Sequence, residues 1–277
     1  MTNLFNYIER PSPIHRLTGA TKLVCMLLWS FAAMVTYDTR FLALLSIAGA
    51  ALFLVGNIRT KDVSFMLGFT IVFLFFNNIL IYVFSPMHGT GIYGSCTYLT
   101  SWHGRYAPTV EQLFYQLNYI LKYSATIPVI LLFVCTTNPS EFAASLNRIG
   151  ISYRISYSVS LALRYIPDVQ QQYYEISKAS QARGVEMSKK ASLLKRLKAA
   201  SNILIPLILS SMGRIETIAN AMELRGFGKH KKRTWYMARK FRISDYASMA
   251  VSLLLFITAL VLNHINNGRF YNPFLNH

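Results

Sequence analysis

The sequence predicts an all-α polytopic membrane protein, with about five transmembrane helices plus a cytoplasmic bundle of three helices. Three observations carry this reading. Of 277 residues, 53% are hydrophobic and only 14% charged, where a soluble domain carries about 25% charge. Apolar runs close to the roughly 20 residues that a bilayer-crossing helix needs recur along the chain. The charge is concentrated: residues 136–242 hold 19 of the 28 Lys and Arg and six of the 11 Asp and Glu, so +13 of the net +17 sits in one block.

The apolar runs are expected at about 17–37 (with Lys22 near its start), 41–56, 64–84, 113–135 and 243–262 (with Asp245 at its edge). The second is short, and the third has no charged residue. Lys and Arg favour the cytoplasmic side. Arg10 and Arg16 precede the first run, Arg59 and Lys61 follow the second, the loop 85–108 carries only Arg105, and the basic block follows the fourth. Five spans with the N-terminus inside satisfy all four observations. The expected domains are a membrane scaffold over 1–136 with an external loop at 85–108, a cytoplasmic region over 137–242, and a final span with its tail over 243–277. Residues 1–19 are mixed and polar and do not read as a secretory signal.

Polar residues inside the runs carry their own expectations. Asn77 and Asn78 in the third run read as bonding between helices. Lys122 in the fourth is costly at a bilayer centre, so it is expected to snorkel to the outer interface. Thr109 and Gln112 read as a capping box that opens the fourth helix.

The basic block is helical by pattern. Asn138, Pro139 and Glu141 give a cap, a proline in the first turn and an acid three residues after the cap. That helix stops near Gly150. The next carries a stripe at Ile155, Val159, Ala162, Ile166, Val169, Tyr173, Ile176 and Ala179. The third carries Leu193, Leu197, Ala200, Leu204, Ile208, Met212, Ile215, Ala219 and Met222. Gaps of three and four predict one buried face on each helix. Pro167 and Pro206 should bend them. Both helices close on Arg-Gly, at Ala182-Arg183-Gly184 and Leu224-Arg225-Gly226. Glycine takes the left-handed conformation that ends a helix, and arginine complements the negative end of the helix dipole. Each tip should present a planar guanidinium able to grip a carboxylate with two hydrogen bonds.

With these residues in view, the chain resembles the transmembrane T component of energy-coupling factor (ECF) transporters, importers of the ATP-binding-cassette superfamily. The resemblance is densest over 137–228. Ala182-Arg183-Gly184 matches the family's first tripeptide, and Leu224-Arg225-Gly226 matches the second except for leucine in place of alanine. Pro139-Ser140-Glu141 and Arg164-Tyr165-Ile166-Pro167 look like further family segments. The resemblance implies that the two long helices are coupling helices whose tips dock into two ATP-binding-cassette ATPase subunits. It also implies a separate substrate-binding S component held on the apolar side, where Ile166, Leu204, Ile208 and Met212 are the candidate contacts. The implied process is vitamin or micronutrient uptake through a bacterial cytoplasmic membrane, with ATP bound by the partner subunits. Met187, Met212, Met222 and Met237 suit adaptable contacts, although ordinary core packing explains any one of them.

Other chemistry finds little support. Cys25, Cys96 and Cys135 form no CxxC pair, the six histidines show no metal-ligand spacing, and no HExxH, GxSxG or Walker A pattern is present. Glu141, Asp168, Glu175, Glu186, Glu216 and Glu223 do not cluster in sequence. No catalytic residue, metal ligand or cofactor site is therefore expected, which leaves a conventional importer permease as the alternative and a membrane-embedded enzyme behind it. The basic runs 189–190, 195–198 and 229–233 suit anionic membrane lipids better than nucleic acid, for which there is no motif.

Overall fold

A computed structural model describes residues 12–58, 60–99, 104, 106–184, 193–230, 234–235, 238–266 and 268–274. Its helices are α1 (Gly19–Val35), α2 (Thr39–Val55), α3 (Thr60–Phe84), α4 (His88–Tyr93), α5 (Val110–Thr136), α6 (Pro139–Arg148), α7 (Tyr153–Ala182), α8 (Leu193–Leu224) and α9 (Ile243–Ile265). The chain divides into two compact units, one of residues 1–138 and 239–277, the other of residues 139–238. The class is all-α and polytopic, as the composition demands. Among the described residues, Val63–Phe84, Val110–Thr136 and Ile243–Ile265 are long and apolar enough to span a bilayer. The first two expected spans appear as helices of 17 residues each, about 25 Å at 1.5 Å per residue and so a little under a 30 Å hydrocarbon core. By length and composition Ala200–Leu224 of α8 also qualifies, which was not expected. Its apolar stripe is broad, and only Arg214 and Glu216 interrupt the first two-thirds of it.

In the first unit α1 packs on α5 and α9, and α2 packs on α5. The core is Trp29, Ala32, Ala33, Phe41, Leu42, Leu45, Ala125, Val129 and Ala259. Small residues let the helices approach closely, as membrane helices require. A methyl group at Gly49 would lie 3.2 Å from the Ala125 carbonyl oxygen and 3.8 Å from the Trp29 ring. Pro128 inside α5 removes one ladder donor, and the Trp29 indole N–H donates to the nearby Ala125 carbonyl at 3.0 Å.

Helix ends, which leave carbonyls and N–H groups without partners, are completed by side chains distant in sequence. Lys22 Nζ donates to the Thr136 carbonyl that ends α5, at 2.8 Å. Lys122 Nζ donates to the Met34 carbonyl in the last turn of α1, at 2.9 Å, and lies 3.4 Å from the centre of the Tyr37 ring. Two antiparallel helices thus cap each other with buried ammonium groups at the negative ends of their dipoles. Lys122 does not snorkel. It is 4% exposed, because a carbonyl and an aromatic face replace the water it gives up. Lys122→Met should therefore lower stability by about 1–3 kcal/mol by leaving the Met34 carbonyl unpaired, read from thermal unfolding in detergent. A snorkelling lysine would show no loss. Asn78 donates to the Leu74 carbonyl of its own helix, whereas the bond between helices runs from the Gln116 side chain to the Asn78 carbonyl, at 3.2 Å.

After α3, Gly89 and Thr97 bond to the start of α5. Thr109 caps α5 by accepting from the Gln112 N–H. The capping box is only half formed, because the Gln112 side chain instead accepts from the Gly89 N–H at 2.8 Å. Gly89 has to be glycine, since a Cβ there would fall 2.5 Å from the Glu111 carbonyl oxygen and 2.7 Å from the Gln112 backbone. Glu111 binds the Thr97 N–H and hydroxyl. The C-terminal tail folds back beside this loop: Tyr37 N–H donates to the Arg269 carbonyl at 2.7 Å, and Tyr37 stacks on Phe270 at 4.5 Å. Burial pushes the phenols of Tyr37 and Tyr93 above their ordinary pKa, so both stay neutral.

In the second unit α6 begins at Pro139 and ends just before Gly150, which takes a φ of +106°. Ser152 caps α7 by accepting from Ile155 N–H. α7 packs on α6 and α8. The predicted buried stripes are not what the helices bury. On α7, Ile155, Ile166, Val169 and Tyr173 are exposed. On α8, Leu204, Ile208, Met212 and Ile215 are exposed, while Ile203 and Leu207 are buried. A unit of three helices has too few partners to cover both apolar faces.

Candidate functional site

The two Arg-Gly tips are formed as helix chemistry requires. At the end of α7, Arg183 N–H donates to the Ala179 carbonyl at 3.2 Å and Gly184 N–H to Gln181 at 3.0 Å, with Gly184 at a φ of +84°. At the end of α8, Gly226 N–H reaches Glu223 at 2.8 Å and Phe227 N–H reaches Met222 at 2.9 Å, with Gly226 at +65°. A Cβ at either glycine would meet nothing within 4 Å, so the left-handed backbone alone selects glycine. Ala182, Arg183, Leu224 and Arg225 are exposed. Leu224 is 89% exposed, so the departure from alanine disturbs no packing within this unit and adds an apolar surface beside Arg225.

The second tip is braced by aromatic rings. Phe227 lies 4.7 Å from Tyr157 and 5.6 Å from Tyr153, and Trp235 lies 5.6 Å from Tyr153. The Trp235 indole N–H donates to Asn147 Oδ1 at 3.1 Å, and Asn147 donates in turn to the Ile151 carbonyl at 2.9 Å. Arg225 is thus held beside the first turns of α7, while Arg183 sits at the far end of the same helix. Tyr157 and Arg183 lie 26 positions apart, about 40 Å of helix. The two guanidinium groups therefore stand at opposite ends of one helix pair.

Between the tips runs an apolar surface. Ile166, Leu204, Ile208 and Met212 are exposed to 42%, 47%, 57% and 61%. Beside them, Leu161, Tyr165, Ile218, Met222 and Phe227 help to line a cavity of about 490 Å3 between α7 and α8. Arg214 faces this cavity, and the Gln172 amide, turned to present its oxygen, accepts from its guanidinium.

Comparison with known proteins decides the family. A family described as CbiQ, cobalt transport protein, matches residues 10–236. The chain belongs to the CbiQ family. That match takes in both Arg-Gly tips and the aromatic brace. The CbiQ-family chain is also similar to several proteins called energy-coupling factor transporter transmembrane protein EcfT. The one from Staphylococcus aureus is 25% identical over 269 residues, which is 93% of this chain and 96% of the relative. The one from Heliobacterium modesticaldum is 29% identical over 265 residues, 90% and 93% of the two chains. The one from Limosilactobacillus fermentum is 35% identical over 113 residues, 39% and 42% of the two chains. This CbiQ-family protein is thus a multi-pass membrane T component of the energy-coupling factor kind.

The structure brings Ala182, Arg183 and Gly184 to one tip and Leu224, Arg225 and Gly226 to the other. The basic runs 189–190 and 195–198, residues 231–233 of the run 229–233, Met187 and Met237 lie outside the described side chains. Sequence reasoning missed the aromatic brace and the cavity. Their signal was present in Tyr153 and Tyr157, four apart at the start of α7, with Phe227 and Trp235 just beyond the second glycine.

Proposed function

We propose that this chain is the coupling subunit of an ECF-type importer, joining two ATP-binding-cassette ATPase subunits to a separate substrate-binding S component. One observation carries the reading: two exposed arginines, each fixed by an Arg-Gly helix end, stand at opposite ends of one helix pair. A guanidinium on a rigid tip docks into an acidic groove with paired charge-assisted hydrogen bonds. Two such tips serve two copies of one partner. When the ATPases close on ATP and reopen after hydrolysis, the tips move with them, and the packed helix pair passes the displacement to whatever rests on its apolar surface. The exposed Ile166, Leu204, Ile208 and Met212 supply that surface, and methionine suits a face that receives more than one S component. ATP stays with the partners, and this chain performs no catalysis. The S component selects the vitamin or micronutrient. The basic block and the N-terminus lie on the cytoplasmic side of the bacterial cell membrane.

Coexpression with ATPase subunits of the ATP-binding-cassette type tests this. The expected result is copurification of two ATPases per chain, with ATP hydrolysis only when they are present. Substrate bound tightly by this chain alone, with no ATPase retained, would point instead to a permease with its own substrate path.

A further inference from the structure

Two cavities in the first unit adjoin at residues 16–18. The first, of about 460 Å3, is lined by Arg16, Thr18, Arg239, Lys240, Phe241 and Arg242. Four cations converge there, and no acidic side chain is among the lining residues described. Arg16, Arg239, Lys240 and Arg242 are all exposed. The neighbouring carboxylate, Asp245, is fully buried and already accepts the N–H groups of Thr18 and Arg242. The second cavity, of about 320 Å3, is a slot whose lining includes Leu17, Cys25, Met26, Val129, Phe133 and Val251. Residues 16–18 alternate between the two: Arg16 and Thr18 line the basic cavity and Leu17 lines the slot.

Position completes the picture. The basic cavity lies where α1 and α9 begin, one residue before the apolar run of α9. That is the level of phospholipid headgroups for a helix that crosses the bilayer. The slot follows α1, α5 and α9 away from that level, toward the hydrocarbon. A phosphate held by guanidinium groups gains charge-assisted, bidentate hydrogen bonds. An acyl chain below it would cover apolar surface that the protein leaves open.

We infer that residues Arg16, Arg239, Lys240 and Arg242, together with the slot beginning at Leu17, form a binding site for one anionic phospholipid. The phosphate sits among the four cations and an acyl chain lies between α1, α5 and α9. The lipid thereby bridges the first helix to the last, at the point where the chain re-enters the membrane after the basic block.

The test is native mass spectrometry of the full chain in detergent, titrated with phosphatidylglycerol and with phosphatidylcholine of the same chain length. The wild-type chain should retain one phosphatidylglycerol in preference to phosphatidylcholine. Arg16→Gln with Arg242→Gln should weaken phosphatidylglycerol about 25-fold, from about fivefold per lost charge, and remove the preference. Both side chains are exposed, and the Arg242 bond to Asp245 runs through its backbone, so the variant keeps its fold. Ser248→Phe, at a half-buried position lining the slot, should weaken both lipids alike. Equal retention of the two lipids by the wild type, no effect of the double arginine variant, or no effect of Ser248→Phe would overturn the site. Displacement of phosphatidylglycerol by equimolar inorganic phosphate would also overturn it, by showing a site for free anions.

Discussion

Reversing both tip charges, Arg183→Glu with Arg225→Glu, is expected to abolish the proposed docking of ATPase subunits. Each guanidinium would be buried against a carboxylate on docking. Truncating one partner of such a pair costs about 2–5 kcal/mol, and charge reversal adds repulsion to the loss. Affinity at each tip should therefore fall at least about 30-fold. Because the tips stand at opposite ends of the helix pair, the two losses should be independent. Arg183→Glu alone should leave one ATPase bound through Arg225, and Arg225→Glu alone should leave one bound through Arg183. The double variant should retain none. Stoichiometry by size-exclusion chromatography with light scattering separates the three cases. Arg183→Lys should recover only part of the affinity, since ammonium cannot make the bidentate contact. The substitutions spare the fold because both side chains are exposed and the helix ends are set by Gly184 and Gly226. If the double variant still holds two ATPases, the arginines are only helix caps and the docking surface lies elsewhere.

What the sequence revealed and what it hid divide along a physical line. Features decided within one helix were legible. The start of α6 at Pro139, the ends of α7 and α8, and the glycines at positive φ all follow from local propensity and capping. The arginine tips were legible for the same reason. Features decided between helices were not. Lys122 reads as a misplaced charge until its partner, the Met34 carbonyl 88 residues away, is known. Gln112 reads as a capping-box residue until Gly89 takes its oxygen. The apolar stripes of α7 and α8 were read as buried because periodicity shows that a helix has an apolar face, not what covers it. The structure leaves Leu204, Ile208, Met212 and Ile166 uncovered within this chain, as a surface meant for a partner would be. The same limit applies to α8 as a candidate span: hydropathy cannot separate a lipid-facing stripe from a protein-facing one.

Replacement of Asp245 by alanine is expected to be among the most destabilising single changes in the first unit. This carboxylate has no exposed surface. Its Oδ1 accepts the Thr18 N–H at 2.9 Å and its Oδ2 accepts the Arg242 N–H at 2.7 Å. Thr18 is the N-cap of α1 and Arg242 the N-cap of α9. One acid therefore sits at the positive ends of two helix dipoles and ties the first helix to the last across 227 residues of sequence. Thr18 and Thr21 add hydroxyl contacts beside it. Alanine would leave the buried Thr18 N–H and the part-buried Arg242 N–H without their acceptor and both dipoles uncompensated, a loss of about 2–4 kcal/mol. Asp245→Asn keeps the shape and one acceptor oxygen, but turns an amide NH2 toward a backbone N–H. It should fall between wild type and alanine. Thermal unfolding followed through Trp29, which lies in the core that α1 and α9 share, should rank the three proteins in that order. A loss under about 0.5 kcal/mol for Asp245→Ala would mean that water replaces the carboxylate at no cost, and that α1 and α9 are held together by their apolar faces alone.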